Sequence, residues 1–234
     1  MSKRPSIVLL SGLCDDDAMW THQVEGLGSL ADIQTLDLHD HTTVADSAAW
    51  VLSEAPERFA LAGFSLGGYV SFEIMRRAPE RVAGLALVST SARADTPERH
   101  AARHTMIERA EAGGYDTLVA EMGFQAVHPA GPHAQAVVDG IRTMAGRIGR
   151  DAFVRQLQVC MDRPDSRGDL SGIACPTLVI CGQNDSMTPP ELSEEMARGI
   201  ARAELLLIEE CGHYTPMERP KIVTDALRRW LVAK

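Results

Sequence analysis

The chain has 234 residues, 45% of them hydrophobic and 24% charged. That is enough for one sizeable core, too little for two full domains, and too ordinary a balance for a disordered, collagen-like or membrane-embedded protein. With 23 basic against 32 acidic residues the net charge is -9, which leaves no basic field for a phosphate backbone, so nucleic acid is not an expected partner.

The apolar run at residues 7–10 stops at Ser11-Gly12, too short for the core of a signal peptide or for a membrane span, so a cytoplasmic protein with no membrane partner is expected. Cys14, Cys160, Cys175, Cys181 and Cys211 are scattered and contain no C-x-x-C pair. They read as reduced, mostly buried thiols. Asn184-Asp185-Ser186 matches a glycosylation sequon, which carries little weight without a secretory signal.

In chain order, short apolar runs alternate with segments of helical period, the arrangement that a parallel sheet covered by helices requires. Residues 7–10, 33–38, 59–63, 85–88, 177–181 and 205–208 are predicted strands, several ending in Gly, Ser or Asp where the chain turns into a helix. Ala45, Ala48, Ala49 and Leu52 share one predicted helical face, and Val223, Ala226, Leu227, Trp230 and Leu231 share another. Pro79 closes the helix before the fourth strand. Thr188-Pro189-Pro190-Glu191 reads as a helix start with Thr188 as its cap. The alternation breaks from 93 to 167, which holds helical stretches and no strand-like run. This predicts a core of residues 1–92 and 168–234 with a helical cap insertion at 93–167. Residues 126–133, rich in Pro, Gly and His, form a loop within that insertion.

The stretch 59–69, FALAGFSLGGY, runs an apolar strand into Gly63-Phe64-Ser65-Leu66-Gly67 and then into an amphipathic helix. In that setting a G-x-S-x-G turn holds its serine in a strained backbone conformation, and Gly63 and Gly67 are required because a Cβ on either would collide across the turn. The strain lifts the Ser65 hydroxyl to the top of the sheet. It also sets the Leu66 amide at a helix amino terminus, where it can stabilise an oxyanion. A hydroxyl is a weak nucleophile, so a base and an acid must follow in the order Ser, Asp or Glu, His. Asp185 lies after the fifth strand in Gly182-Gln183-Asn184-Asp185, and His213 after the sixth in Cys211-Gly212-His213-Tyr214. Each stands at the carboxyl end of a strand, where a site in such a sheet is expected. Asp95 is the reserve acid. Without the chain order, Asp185 would read as a solvated loop acid and His213 as a surface histidine.

These segments resemble the nucleophile elbow, acid loop and histidine loop of the α/β-hydrolase fold superfamily, and the resemblance covers nearly the whole chain outside the insertion. Leu9-Leu10-Ser11-Gly12-Leu13-Cys14, followed by Met19-Trp20, resembles the family's oxyanion loop. The resemblance implies that the Leu13 amide is a second oxyanion donor beside Leu66 and that Cys14 lines the pocket. Two departures stand out: Ser11 replaces the family's usual histidine, and the family's first two strands are missing. The implied fold is an α/β-hydrolase fold with a mostly or wholly parallel sheet of about six strands. Within the insertion, Met122 and Phe124 are expected in the substrate pocket, whereas Met106, Met144 and Met161 read as core. Met187 and Tyr214 complete the expected pocket.

His100 and His104 lie four apart, but the H-A-A-R-H sequence lacks the glutamate of H-E-x-x-H and a third ligand, so no metal is expected. Asp15-Asp16-Asp17 reads as a helix cap and solvated face. Within the resemblance, serine rather than aspartate at position 65 argues against the epoxide hydrolase and dehalogenase branches. The small cap resembles those of carboxylesterases, enol-lactonases and the methyl-ester esterase acting on pimeloyl acyl carrier protein. The expected activity is cofactor-free hydrolysis of a small-molecule ester with a small or medium acyl group, through an acyl-enzyme. Lactone hydrolysis, C–C bond hydrolysis, perhydrolysis and a ligand receptor that retains the triad stay open, as does the oligomeric state.

Overall fold

The computed structural model describes residues 4–232. Six strands form one sheet: β1 (Ser6–Leu10), β2 (Asp32–Leu36), β3 (Phe59–Phe64), β4 (Val82–Val88), β5 (Thr177–Gly182) and β6 (Ala203–Ile208). Their order is β2-β1-β3-β4-β5-β6, and every pairing is parallel. The chain leaves β1 toward β2 on one side and continues from β3 on the other. The cleft between β1 and β3 is therefore a topological switch point, where ligands bind at the carboxyl ends of the strands.

Helices α1 (Thr21–Leu27), α2 (Val44–Glu54) and α3 (Leu66–Arg77) alternate with the first strands. Between β4 and β5 come α4 (Pro97–Arg109), α5 (Tyr115–Ala126) and α6 (Ala134–Asp162); α7 (Pro190–Gly199), α8 (Thr215–Glu218) and α9 (Pro220–Val232) follow β5. The strand pleat sorts the core into two layers. Ile7 and Leu9 of β1 pack with Leu27 of α1 and Leu227 of α9, while Val8 and Leu10 pack with Val51 of α2, Val70 of α3 and Met196 of α7. Among the described residues no helix is long and apolar enough to cross a membrane.

The α9 face is buried as its spacing predicts. The α2 face is rotated from the expected one: Val44, Ser47, Ala48 and Val51 are buried and Ala49 is exposed. Two valines seven apart remove more apolar area from water than the alanine stripe does, and they set the rotation of the helix. Helix α7 starts at Pro190 with no side-chain cap, because Thr188 is engaged elsewhere.

The cap is built from α4, α5 and α6. Thr96 caps α4, a wider turn at Ala110–Gly114 with Gly113 at φ 90° leads into α5, and Gly149 at φ 78° breaks α6. Ala110, Leu118, Val119, Ala145, Phe153 and Leu157 close over Cys14 of the β1 loop.

Candidate active site

Because all strands run the same way, the loops after β1, β3, β5 and β6 emerge on one edge of the sheet. The β3 loop is a one-residue turn: Ser65 has φ 49° and ψ -110°, a conformation that a non-glycine residue holds only when its surroundings impose it. Those surroundings are visible. The Ser65 amide donates to the Val88 carbonyl at 3.0 Å, and the Thr90 hydroxyl donates to the Ser65 carbonyl at 2.7 Å. A Cβ on Gly67 would stand 2.6 Å from the Leu10 carbonyl oxygen, and one on Gly63 would fall on the Gly67 carbonyl. Close packing of β1, β3 and α3 thus fixes the turn.

Ser65 Oγ lies 3.1 Å from His213 Nε2, and His213 Nδ1 lies 2.8 Å from Asp185 Oδ2. The acid is held from three further directions. Its Oδ1 accepts the Met187 and Thr188 amides at 2.9 Å each, and its Oδ2 accepts the Thr188 hydroxyl at 2.8 Å. Burial alone would push the Asp185 carboxyl up. The adjacent imidazole and these hydrogen bonds outweigh it and hold the carboxyl below its ordinary range. The carboxyl is therefore charged where it faces His213 Nδ1. Thr188, read from sequence as a helix cap, instead braces Asp185.

The histidine is positioned through its backbone. Its amide donates to the Ala126 carbonyl at the end of α5, 2.7 Å away. Buried Glu218 on α8 accepts from both neighbours, Tyr214 at 3.0 Å and Gly212 at 2.9 Å, and from His128 of the cap loop at 2.9 Å. One carboxylate thereby ties the histidine loop to the cap.

On the β1 loop, Cys14 has φ 64°, and its amide donates to Gln156 Oε1 of α6 at 2.9 Å. Leu66 carries the first amide of α3, which has no carbonyl one turn behind it to accept. Ser11, the departure from the family pattern, has its hydroxyl 3.2 Å from both the Asp16 carbonyl and the Asp37 carboxyl, away from the serine.

A cavity of about 230 Å³ opens on Ser65 and His213 and is lined by Leu13, Cys14, Met122, Met187 and Tyr214. Phe124 is not among its residues. It is 59% exposed on the outside of α5, with the Arg142 guanidinium over its ring at 5.1 Å. Met106 does line the cavity, whereas Met144 is core. Asp95, the reserve acid, is instead committed to Arg103 at 2.5 Å and Arg163 at 2.7 Å, while Asp185 holds the imidazole. Of the three consecutive acids only Asp17 is solvated. Asp16 caps the turn at Asp17–Trp20 and pairs with Arg147. Asp15 is fully buried and accepts from Tyr214 Oη at 3.1 Å. The His100 and His104 rings lie 4.9 Å apart and tilted by 57° on α4, and no group of three or more potential metal ligands occurs among the described residues. The residues that sequence reasoning missed are Thr188, Glu218 and Arg99, the last a cavity-lining residue of α4.

Residues 7–226 match the model of the alpha/beta hydrolase family. The chain is 28% identical over 225 residues to a pimeloyl-(acyl-carrier protein) methyl ester esterase of Nitrosomonas europaea, spanning 89% of this chain and 88% of that protein. It superposes on a thermophilic esterase from Thermogutta terrifontis, solved with malate bound, at TM-score 0.89 and 30% identity over 100% of this chain and 91% of that one. The enol-lactonase from Burkholderia xenovorans LB400 shares the fold at TM-score 0.88 and 24% identity, over 99% of this chain and 92% of that one.

Proposed function

The chain belongs to the alpha/beta hydrolase family, and on that premise we propose that it hydrolyses carboxylic esters of small or medium acyl groups through an acyl-serine intermediate. The observation that carries this reading is the continuous relay Ser65–His213–Asp185, with spacings of 3.1 and 2.8 Å, at the mouth of an apolar cavity. At about 230 Å³ that cavity falls below the range of roughly 300–1,000 Å³ usual for drug-sized ligands, which favours a short acyl chain.

In this mechanism Ser65 Oγ attacks the ester carbonyl while His213 Nε2 takes its proton. Asp185 keeps the Nδ1–H tautomer in place and stabilises the imidazolium that forms. The amides of Leu13 and Leu66 receive the oxyanion, each contributing about 3 kcal/mol to lowering the barrier. The use of the Cys14 amide by Gln156 supports Leu13 as the donor on that loop. His213 then protonates the departing alcohol, and a water deprotonated by the same imidazole releases the acid.

Fluorophosphonate labelling followed by peptide mapping, with p-nitrophenyl ester turnover by the wild type and Ser65→Ala, tests the reading. Steady turnover by the wild type, its loss in Ser65→Ala and a label confined to the peptide containing Ser65 are the expected results. A label elsewhere, or one slow turnover ending in a trapped product, would overturn it.

A further inference from the structure

The cavity above Ser65 is mostly apolar, and two arginines of one helix line it. Arg99 and Arg103 stand one turn apart on α4, and both line it, together with Met106, Val119, Met122 and Ile141. Arg99 donates one N–H to the Met187 carbonyl at 2.6 Å and makes no ion pair among the described residues. A guanidinium has five donors, so most of its donor capacity is uncommitted. Arg103 shares its counter-charge: the Asp95 carboxylate is bound by both Arg103 and Arg163. Arg163 is itself buried, 4.0 Å over the ring of the cavity-lining Tyr69. The two wall arginines and Arg163 behind them share one carboxylate, Asp95, which leaves an excess of positive charge here in a chain whose net charge is -9.

Among the described residues these guanidinium groups make no other ion pair. Asp15 also lines the cavity, and burial pushes its carboxyl well up, toward the neutral form. Asp185 is occupied by His213, Thr188 and the Met187 amide. A charged fork in an otherwise apolar, partly closed cavity interacts strongly with an anion and only weakly with a neutral chain.

We propose that this wall is an anion subsite, and that the ester cleaved at Ser65 carries a carboxylate on its acyl part, bound by Arg99 with support from Arg103. The assignment to the acyl side follows from the reaction: the alcohol leaves after the first step, and the acyl group stays on Ser65 inside the cavity. The proposal rests on the ester-hydrolase reading above and narrows it to half-esters of short dicarboxylic acids.

The test compares kcat/KM for monomethyl glutarate and for methyl pentanoate, which match in chain length and differ in the terminal carboxylate. The wild type is expected to favour the half-ester at least tenfold, with the ratio falling as salt is raised. Arg99→Gln should lower that ratio at least tenfold, and Arg99→Lys, which keeps the charge and a donor for the Met187 carbonyl, should lower it less. Thermal midpoints confirm that the variants are folded. A wild-type ratio at or below one, or a ratio unchanged in Arg99→Gln, would overturn the subsite. Glutarate binding by calorimetry separates this from failure of the hydrolase reading. If neither ester is turned over, glutarate binding to the wild type that is lost in Arg99→Gln still supports the subsite, and equal or absent binding refutes it.

Discussion

Glu218 offers the sharpest test of how the histidine is held. Its side chain is buried and accepts three backbone amides, from Gly212, Tyr214 and His128, at 2.9–3.0 Å. Hydrogen bonds to a charged group contribute about 1.5–3 kcal/mol each, but three bonds to one carboxylate are not additive. Glu218→Gln keeps one acceptor oxygen and turns an NH2 group toward amides that themselves donate, so at least one buried donor loses its partner. We expect a loss of about 3–5 kcal/mol, the range for breaking a buried charged interaction. At about 2–4 °C per kcal/mol for a domain of 150–250 residues, the thermal midpoint should fall by roughly 6–20 °C. Because the bonds bracket His213, kcat should fall while KM for a methyl ester changes less. Calorimetry and steady-state kinetics on Glu218→Gln and Glu218→Ala measure both effects. A midpoint within about 2 °C of wild type with kcat unchanged would refute the view that this carboxylate fixes the histidine loop.

Replacing Asp185 by Asn keeps the shape of the loop but permits the wrong imidazole tautomer; kcat should drop by about 10⁴, with fluorophosphonate labelling of Ser65 slowed in parallel, and a loss under tenfold would remove Asp185 from the relay. Burial works against ionisation of Asp95, but Arg103 and Arg163 outweigh it and hold its carboxyl below the ordinary range. Its folded-state pKa thus lies below an unfolded value of about 3.9, so the pairing contributes fully above about pH 4 and is lost as pH falls through the folded value. Asp95→Asn should lower stability by about 3–5 kcal/mol at neutral pH, since it leaves the 2%-exposed Arg163 side chain without a counter-charge. Urea midpoints of variant and wild type should converge below about pH 4, and a gap that stays constant down to pH 2 would contradict the pairing.

The central strands β1, β3, β4 and β5 were legible because a parallel strand buried on both faces needs a continuous apolar run, and several of these runs end at Gly or Ser. The relay was legible for a related reason: Ser65, Asp185 and His213 each follow a strand end, and the sheet brings strand ends together. What escaped was set by packing between elements distant in sequence. Thr188 has the form of a cap in the local sequence, yet a carboxylate three residues earlier claims its hydroxyl. Phe124 was misplaced although geometry argued against it, since residues two apart on a helix do not face the same way, and Met122 takes the inward position. Arg99 has the sequence character of a solvated helix residue. Only the docking of α4 over the sheet turns it into a wall of the cavity.

The cap therefore does more than cover the site. The Gln156 side chain on α6 holds the Cys14 amide of the β1 loop. The Ala126 carbonyl at the end of α5 holds the His213 amide, and the His128 amide of the cap loop shares Glu218 with the histidine loop. Two cap contacts thus end on the backbone of the β1 and histidine loops, a third reaches the histidine loop through the Glu218 side chain, and a fourth, from Arg99 to the Met187 carbonyl, ends on the loop that carries Asp185. A cap that shifted by even one ångström would move the β1 loop and the imidazole relative to Ser65, which is anchored separately by β4 and Thr90. Reaction geometry of this kind loses rate steeply with small misplacements. On the proposed mechanism, specificity and turnover are mechanically joined: the helices that would select the acyl group also hold the loops that would cleave it.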